Sequence, residues 1–517
     1  MPVQSLRSFA SGAYNGLFGG ATACVILIGA ALSSADAQPL QEAAAGIVGE
    51  ERHAADAPAL SAILLRDGQI LAHVVDGHAD PAMGIDASLD TGFPAGSVTK
   101  ILTAALVMTE VDAGRLDLDA PIAEHIPADL RPMDADGAEV EVTLRQLLSH
   151  SSGLPVTWDG FPPYPPVESR EAYIAASRTI VHPPGDRLVY SNVGFVLAGE
   201  VAAASAGMTF EDLAQDRLLT PLGMTQSSLG RAEDYDGPLA AGHARAGDML
   251  EPEPHLDLTA LAAAGSLLTT PGDLARLATM FLNDGVFEGR RILSAAAVDE
   301  MMTMQARAHP DLDEGFGLGF GVRMGEAGRK VWWDGTTTWG AAHFALYPDS
   351  GTAVIAMTNV ADNHPTSVSG RRLLELAIPD LAAGPPPDIP IDEGIDGYYL
   401  AIDLVDPDLW FFAYAMPLRV QSDAGSARLT SGLTDPLTLI PSAPQRFRVN
   451  GGILDGATAL ATGDLLQVGL VRAERLPALL TPPALMTYAG ALVLAVLFGL
   501  WLGIRAVWRR FRRACAN

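Results

Sequence analysis

The run Ile101 to Met108 (Ile-Leu-Thr-Ala-Ala-Leu-Val-Met) is apolar on nearly every side and carries Lys100 at its head. A helix with no polar face must be surrounded by protein, so this segment belongs inside a domain large enough to bury a whole helix. Burying a lysine with it is costly unless the amine is used. Of the 33 basic residues, only Lys100 and Lys330 are lysines. Arginine stays charged at any workable pH, whereas a desolvated lysine is driven down from its ordinary value of about 10.4 and becomes a base. Pro94, Ala95 and Gly96 form a turn before the helix, and Ser97 stands three residues ahead of Lys100. Positions i and i+3 share a helix face, with Cβ atoms roughly 5–6 Å apart, so the amine reaches the hydroxyl.

Tyr190-Ser191-Asn192 is the second element. It follows the Pro183-Pro184-Gly185 turn and precedes a second apolar helix, predicted over 193–203. Acyl transfer needs a nucleophilic hydroxyl, a group that takes and returns its proton, and a polar group that holds the substrate amide. Ser97, Tyr190 with Lys100, and Asn192 are the candidates. A tyrosine with its ordinary pKa near 10 serves as a base only beside a cation that favours the phenolate, and Lys100 is the candidate cation.

With these residues the chain resembles the serine β-lactamase and penicillin-binding protein family, in particular the branch of class C β-lactamases, D-alanyl-D-alanine carboxypeptidases and esterases. The resemblance runs from about Pro58 to Ala377, through Leu147-Leu148-Ser149-His150-Ser151-Ser152-Gly153-Leu154, Ala264-Gly265-Ser266, Asp273-Leu274-Ala275-Arg276 and Tyr347-Pro348-Asp349-Ser350-Gly351 in family order. It implies an acyl-enzyme on Ser97, with the proton managed by Lys100 and Tyr190. It also implies an oxyanion hole made by the Ser97 amide and an amide on an edge strand. The implied fold is α/β (α+β), an antiparallel sheet covered by helices plus an all-helical portion carrying Tyr190.

The edge strand departs from the family pattern. Where the family carries Lys-Thr-Gly or His-x-Gly, this chain reads Trp333-Asp334-Gly335, followed by Thr336. In that alignment Trp333 takes the place of the basic residue and Thr336 supplies the amide; a one-residue shift puts Asp334 there instead. Either way the cation is missing, and Lys330 lies about 13 Å from position 334 along a strand. Such a site binds carboxylates poorly, which points to an uncharged ester, an amide or an aromatic ligand. The same loss supports a second reading, a catalytically impaired relative acting as a ligand-binding or cell-wall-sensing module. His150 and His343 are expected to be structural, on a turn and on the next strand. No metal site is expected, since the histidines form no ligand-spaced pair, and no cofactor: the Gly-x-Gly runs sit in strand-like sequence.

Domain organisation follows from composition. Residues 1–37 read as a signal peptide cleaved after Ala37, with Arg7 ahead of an apolar stretch around Val25 to Leu32. The hydrolase region is expected over 38–384, with a first hairpin of Leu60 to Leu65 and Gln69 to Val75. Its last strands are expected at Leu318 to Val322, Lys330 to Asp334, Ala342 to Tyr347 and Thr352 to Thr358. A proline-rich linker (385–394) leads to a small all-β domain, a sheet or barrel, over 395–475. Ala484 to Ile504 is uncharged over 21 residues, long enough to span roughly 30 Å of hydrocarbon. Arg505, Arg509, Arg510, Arg512 and Arg513 follow it, which places a basic tail (505–517) in the cytoplasm and the catalytic domain outside the cell membrane. The expected partners are thus the membrane, through one span, and a small-molecule or peptide substrate. A net charge of −28 argues against nucleic acid.

Overall fold

The structure, a computed structural model, describes residues 34–378 apart from 158–166, 247–248 and 326–327, together with the strands and some short connections of 395–476. The expected signal segment before Ser34, the expected 385–394 linker and the expected Ala484 to Ile504 span lie outside the described residues. The first helix, Ser34–Ala54, contains the proposed cleavage position in its first turn and lays Ala44, Ile47 and Val48 on the sheet.

The central sheet is antiparallel. From one edge its strands run Glu314–Phe316, Gly321–Gly325, Gly328–Thr336, Ala341–Tyr347, Thr352–Thr358, Ala59–Arg66, Gln69–Asp80 and Ile85–Asp86. The first hairpin turns through Asp67 and Gly68, both with positive φ (51° and 75°), the conformation that matches the right-handed twist of paired strands. Three of the four expected late strands form where they were expected. The fourth begins at Gly321 instead of Leu318, because Gly317 N donates to Phe320 O and Gly319 has φ +78°, which turns the chain before pairing starts. Ala59 to Leu65, Ala341 to Tyr347 and Thr352 to Thr358 are buried on both faces. Such uninterrupted apolar strands need helices on both sides. Ser34–Ala54 and His364–Ala377 cover one face; helices including Pro271–Leu282 cover the other.

The helical portion is built on two buried helices, Thr99–Asp112 and Asn192–Ala206, packed on each other. The second is longer than expected. Ser191 Oγ caps it by accepting from Gly194 N (3.1 Å), and Gly207 ends it in the left-handed conformation. Among the described residues no single helix is long and apolar enough to cross a membrane. One bent pair, Asn192–Ala206 with Phe210–Leu222, is so by composition, but its residues belong to the hydrolase core. Eight short antiparallel strands from Gly397–Ala401 to Val471–Arg475 close into a barrel around its own apolar cluster, which includes Tyr399, Leu439, Phe447 and Val449. This realises the expected small all-β domain in its barrel form.

Candidate active site

Two glycines bring the nucleophile turn against the edge of the sheet. Gly96 has φ +50°, and a Cβ there would lie 2.8 Å from Thr336 N. A Cβ on Gly335 would lie 2.0 Å from Ala95 O and 2.7 Å from Ser97 N. Only residues without a side chain tolerate this approach. It puts the backbone nitrogens of Ser97 and Thr336 at one contact. Thr337 N donates to Gly340 O (2.9 Å) on the neighbouring-strand side. Alternation then turns the Thr336 N–H to the opposite edge, where pairing with Gly321–Gly325 has ended at Trp332. The Thr336 side chain itself is exposed.

Ser97 sits in the single 3-10 turn Gly96–Val98 that feeds the Thr99–Asp112 helix. Lys100 Nζ donates to Ser97 Oγ (3.1 Å) and to the carbonyl of Ala264 (2.7 Å). Tyr190 Oη and Ser97 Oγ are 2.7 Å apart. Lys100 is 1% exposed, and both partners of its amine are uncharged. Burial therefore pushes it well below the ordinary lysine range. Burial likewise pushes the Tyr190 hydroxyl upward, against the smaller pull of its bond to Ser97. This corrects the expected pairing of a lysine cation with a phenolate: the environment favours a neutral amine and a neutral phenol, leaving Lys100 as the better base. Ala264 was visible in the sequence only as part of a family segment; its role here, a carbonyl that orients the amine, has no side-chain signal.

His150 occupies the turn after Leu144–Leu148, with φ 57°. Its Nδ1 accepts from Ser191 N (3.1 Å), and its backbone carbonyl accepts from Val189 N (2.8 Å), so this turn holds the strand-like segment that presents Tyr190. Burial keeps the ring well below the ordinary histidine pKa, hence neutral and structural. Around it stand Tyr190, Phe195, Phe316 and Trp333, at centroid distances of 4.6, 5.0, 4.6 and 6.1 Å. Phe316 escaped sequence reasoning because nothing local marks it; it comes from a strand far along the chain.

The Gly328–Thr336 strand, third in the sheet rather than the edge strand expected, resolves the two alignments. Trp333 lies on the Ser97 side, stacked on Tyr190 at 5.9 Å and 20°. Its indole N–H is buried and meets no acceptor in hydrogen-bonding geometry, although it is near enough to Tyr190 to favour phenolate slightly. Asp334 points through the opposite face, because successive strand side chains alternate. There its Oδ1 accepts from His343 Nδ1 (2.6 Å) and Ser367 Oγ (3.1 Å). Burial opposes its ionisation, but His343, with Lys330 and Ser367, holds the carboxyl below its ordinary range. The expectation that Asp334 contacts substrate is therefore corrected. Asn192 is also less available than expected: it is 5% exposed and its Nδ2 donates to Thr157 O (3.3 Å). Among the described residues no group of three or more His, Cys, Asp or Glu side chains is arranged to hold a metal.

A half-buried serine hydroxyl thus stands between a buried amine and a half-buried phenol, beside two backbone amides. The chain matches the Beta-lactamase family over residues 44–378, more than half its length, and it belongs to that family. It is 31% identical over 329 residues to "Penicillin-binding protein 4" of Amycolatopsis lactamdurans, covering 60% of this chain and 84% of the relative. It is 44% identical over 93 residues to "Esterase EstB" of Burkholderia gladioli, covering 18% and 24%. The octameric penicillin-binding protein homologue from Pyrococcus abyssi shares the fold over 85% of this chain and 99% of its own, with TM-score 0.60 and 22% identity. Family and relatives make this chain a hydrolase of the β-lactamase, penicillin-binding protein and esterase superfamily.

Proposed function

We propose that this chain is a membrane-anchored serine hydrolase of the class C β-lactamase, carboxypeptidase and esterase branch, cleaving an uncharged ester or amide through an acyl-enzyme on Ser97. The observation that carries the reading is Ser97 Oγ lying 3.1 Å from a buried, uncompensated Lys100 amine and 2.7 Å from Tyr190 Oη. Neutral Lys100 takes the serine proton as Oγ bonds to the substrate carbonyl carbon. The developing oxyanion is met by the amides of Ser97 and Thr336. Collapse breaks the bond to the leaving group, which is protonated through Tyr190 as Lys100 returns the proton. Water then attacks the ester by the same route in reverse, freeing Ser97.

Trp333 supports the uncharged substrate. An indole stands where a cation would meet a carboxylate, so a charged leaving group gains nothing there and loses its hydration. The names of the relatives, a penicillin-binding protein and an esterase, are compatible with ester or amide cleavage. The sequence pattern of Ala484 to Ile504 followed by five arginines supports a single anchor with the catalytic domain outside the cytoplasm.

The test is intact-protein mass spectrometry of the purified full chain after a fluorophosphonate and, separately, a short activated ester, with Ser97→Ala as control. The expected result is one adduct on Ser97 and turnover that vanishes in the variant. The second reading, a binding module that has lost turnover, is favoured by the Trp333 ring stacked on Tyr190. It predicts a folded protein whose Ser97 takes no label and turns nothing over.

A further inference from the structure

Thr103 is the one polar residue in the apolar run Ile101 to Met108, and it is fully buried. Nothing in the helix itself asks for a hydroxyl there. A helical threonine commonly returns its proton to a carbonyl one turn back. Thr103 Oγ1 instead donates across the helix interface to the carbonyl of Ala263 (2.7 Å). One turn earlier on the same helix face, the equally buried Thr99 Oγ1 donates to Gly96 O (2.6 Å) and accepts from Leu267 N (3.1 Å).

Ala263 O and Leu267 N are four residues apart, the spacing at which a helix pairs its own backbone. In the short helix Ala262–Gly265, Ser266 N closes the last turn on Ala262 O (3.4 Å), and the two groups that would close the next turn go to the threonines. Ala264 O, next in line, faces Lys100 Nζ at 2.7 Å. Leu267 is tied in turn to the nucleophile segment, since its carbonyl accepts from Ala95 N (2.8 Å). Two hydroxyls flanking Lys100 on its own helix thus fix the backbone on either side of the carbonyl that the amine meets.

The direction of that contact matters for proton transfer. A neutral amine has two N–H donors and one lone pair. The Ala264 carbonyl only accepts, so it is met by an N–H. Ser97 Oγ has a proton to give, and with one N–H committed to Ala264 the lone pair can turn to it, 3.1 Å away. When the proton crosses, Ser97 Oγ bonds to the acyl carbon, Lys100 becomes an ammonium, and its bond to Ala264 O becomes charge-assisted and stronger.

We propose that Thr103, together with Thr99, is a positioning residue for this proton transfer: the two hydroxyls clamp the Ala263 to Leu267 backbone so that the Ala264 carbonyl holds the Lys100 amine on Ser97. The assignment rests on the reading of Lys100 as the base of an acyl-enzyme reaction. Neither threonine touches the reacting atoms; each acts through the Ala264 carbonyl.

Thr103→Val keeps the side-chain shape and removes the donor. The experiment measures kcat and KM of the full chain on 4-nitrophenyl acetate as a function of pH, with Tm followed by circular dichroism and Ser97 labelled by a fluorophosphonate. The variant's kcat is expected to fall by about 30-fold with KM within about threefold of wild type, because a misdirected base affects only the transfer. Loss of a hydrogen bond that favours the charged amine also moves the acid limb of kcat to lower pH. The titratable groups nearest the amine, Tyr190 (ring centroid 5.0 Å away) and His150, are kept neutral by burial, so neither masks that movement. Thr103→Ser restores the donor and is expected to bring kcat back to within about threefold of wild type. A Thr103→Val protein with lowered Tm but wild-type kcat and an unmoved acid limb shows a purely structural hydroxyl and overturns the proposal, as does a fall in kcat that Thr103→Ser fails to rescue. Should Thr103→Val not fold, Thr99→Val read against Thr99→Ser decides by the same two measures. Absence of label on Ser97 in the folded wild type overturns the hydrolase reading, and the positioning role with it; a labelled wild type leaves that reading standing whatever the threonine variants do.

Discussion

Lys100 and Asp334 are both ionisable groups set into the protein on either side of one contact, and their surroundings treat them oppositely. The amine of Lys100 meets a hydroxyl and a carbonyl, neither charged, and burial drives it toward its neutral form. The carboxylate of Asp334, on the back of the Gly328–Thr336 strand, meets His343 and Ser367 and is held ionised despite burial. Desolvation without a counter-charge makes a base; desolvation beside one makes a brace. In the proposed mechanism the front of the strand serves proton transfer and the back holds that front in place.

The most severe test of the front is Ser97→Ala, which is expected to abolish ester turnover by at least about 10³-fold with folding intact by circular dichroism. Lys100→Met follows, with a loss on the order of 10³-fold, and it carries a second signature. Burial holds the folded-state value of this lysine well below the ordinary one, so over that interval the unfolded state binds more protons and stability rises with pH toward the ordinary lysine value. Replacing the amine removes that penalty, and Tm at pH 7 is expected to rise by about 2 °C or more; a fall in Tm breaks the comparison. In the wild type, the acid limb of kcat/KM should then lie well below the ordinary lysine pKa of about 10.4, because activity appears as Lys100 loses its proton. A limb near that value shows the amine to be charged and the assignment wrong.

Tyr190→Phe keeps the stacked ring and removes the hydroxyl, with an expected loss of about 10²-fold in kcat and little change in KM. On the back of the strand, Asp334→Asn should act on stability first, lowering the unfolding free energy in urea by about 1–3 kcal/mol and activity by less than about tenfold. A larger loss of activity than Tyr190→Phe would make Asp334 part of the chemistry and erase the contrast. Smallest of all, Trp333→His restores a protonatable group to the front and should improve kcat/KM for a carboxylate-bearing ester over its neutral analogue by a few-fold below pH 6.

The Ser97 to Lys100 spacing, the apolar helix behind it and the Tyr190 segment were legible in the sequence because each is local: a helix repeat, a buried run, a turn followed by a capped helix. The late strands were legible for the same reason, as short runs bounded by turn residues. Tertiary structure decided what local pattern leaves open. Whether Trp333 or Asp334 faces the serine depends on which glycine abuts the nucleophile turn, and Gly335 against Ala95 and Ser97 fixes the strand to one register. The choice of base also required the fold, since Lys100 and Tyr190 have ordinary pKa values in an extended chain and are separated only by burial. Phe316 and the Ala264 carbonyl join the site from segments far apart in sequence. Contacts of that kind exist only once the chain has closed on itself; the sequence supplied the reactive groups, and packing set their protonation, their facing and the space between them.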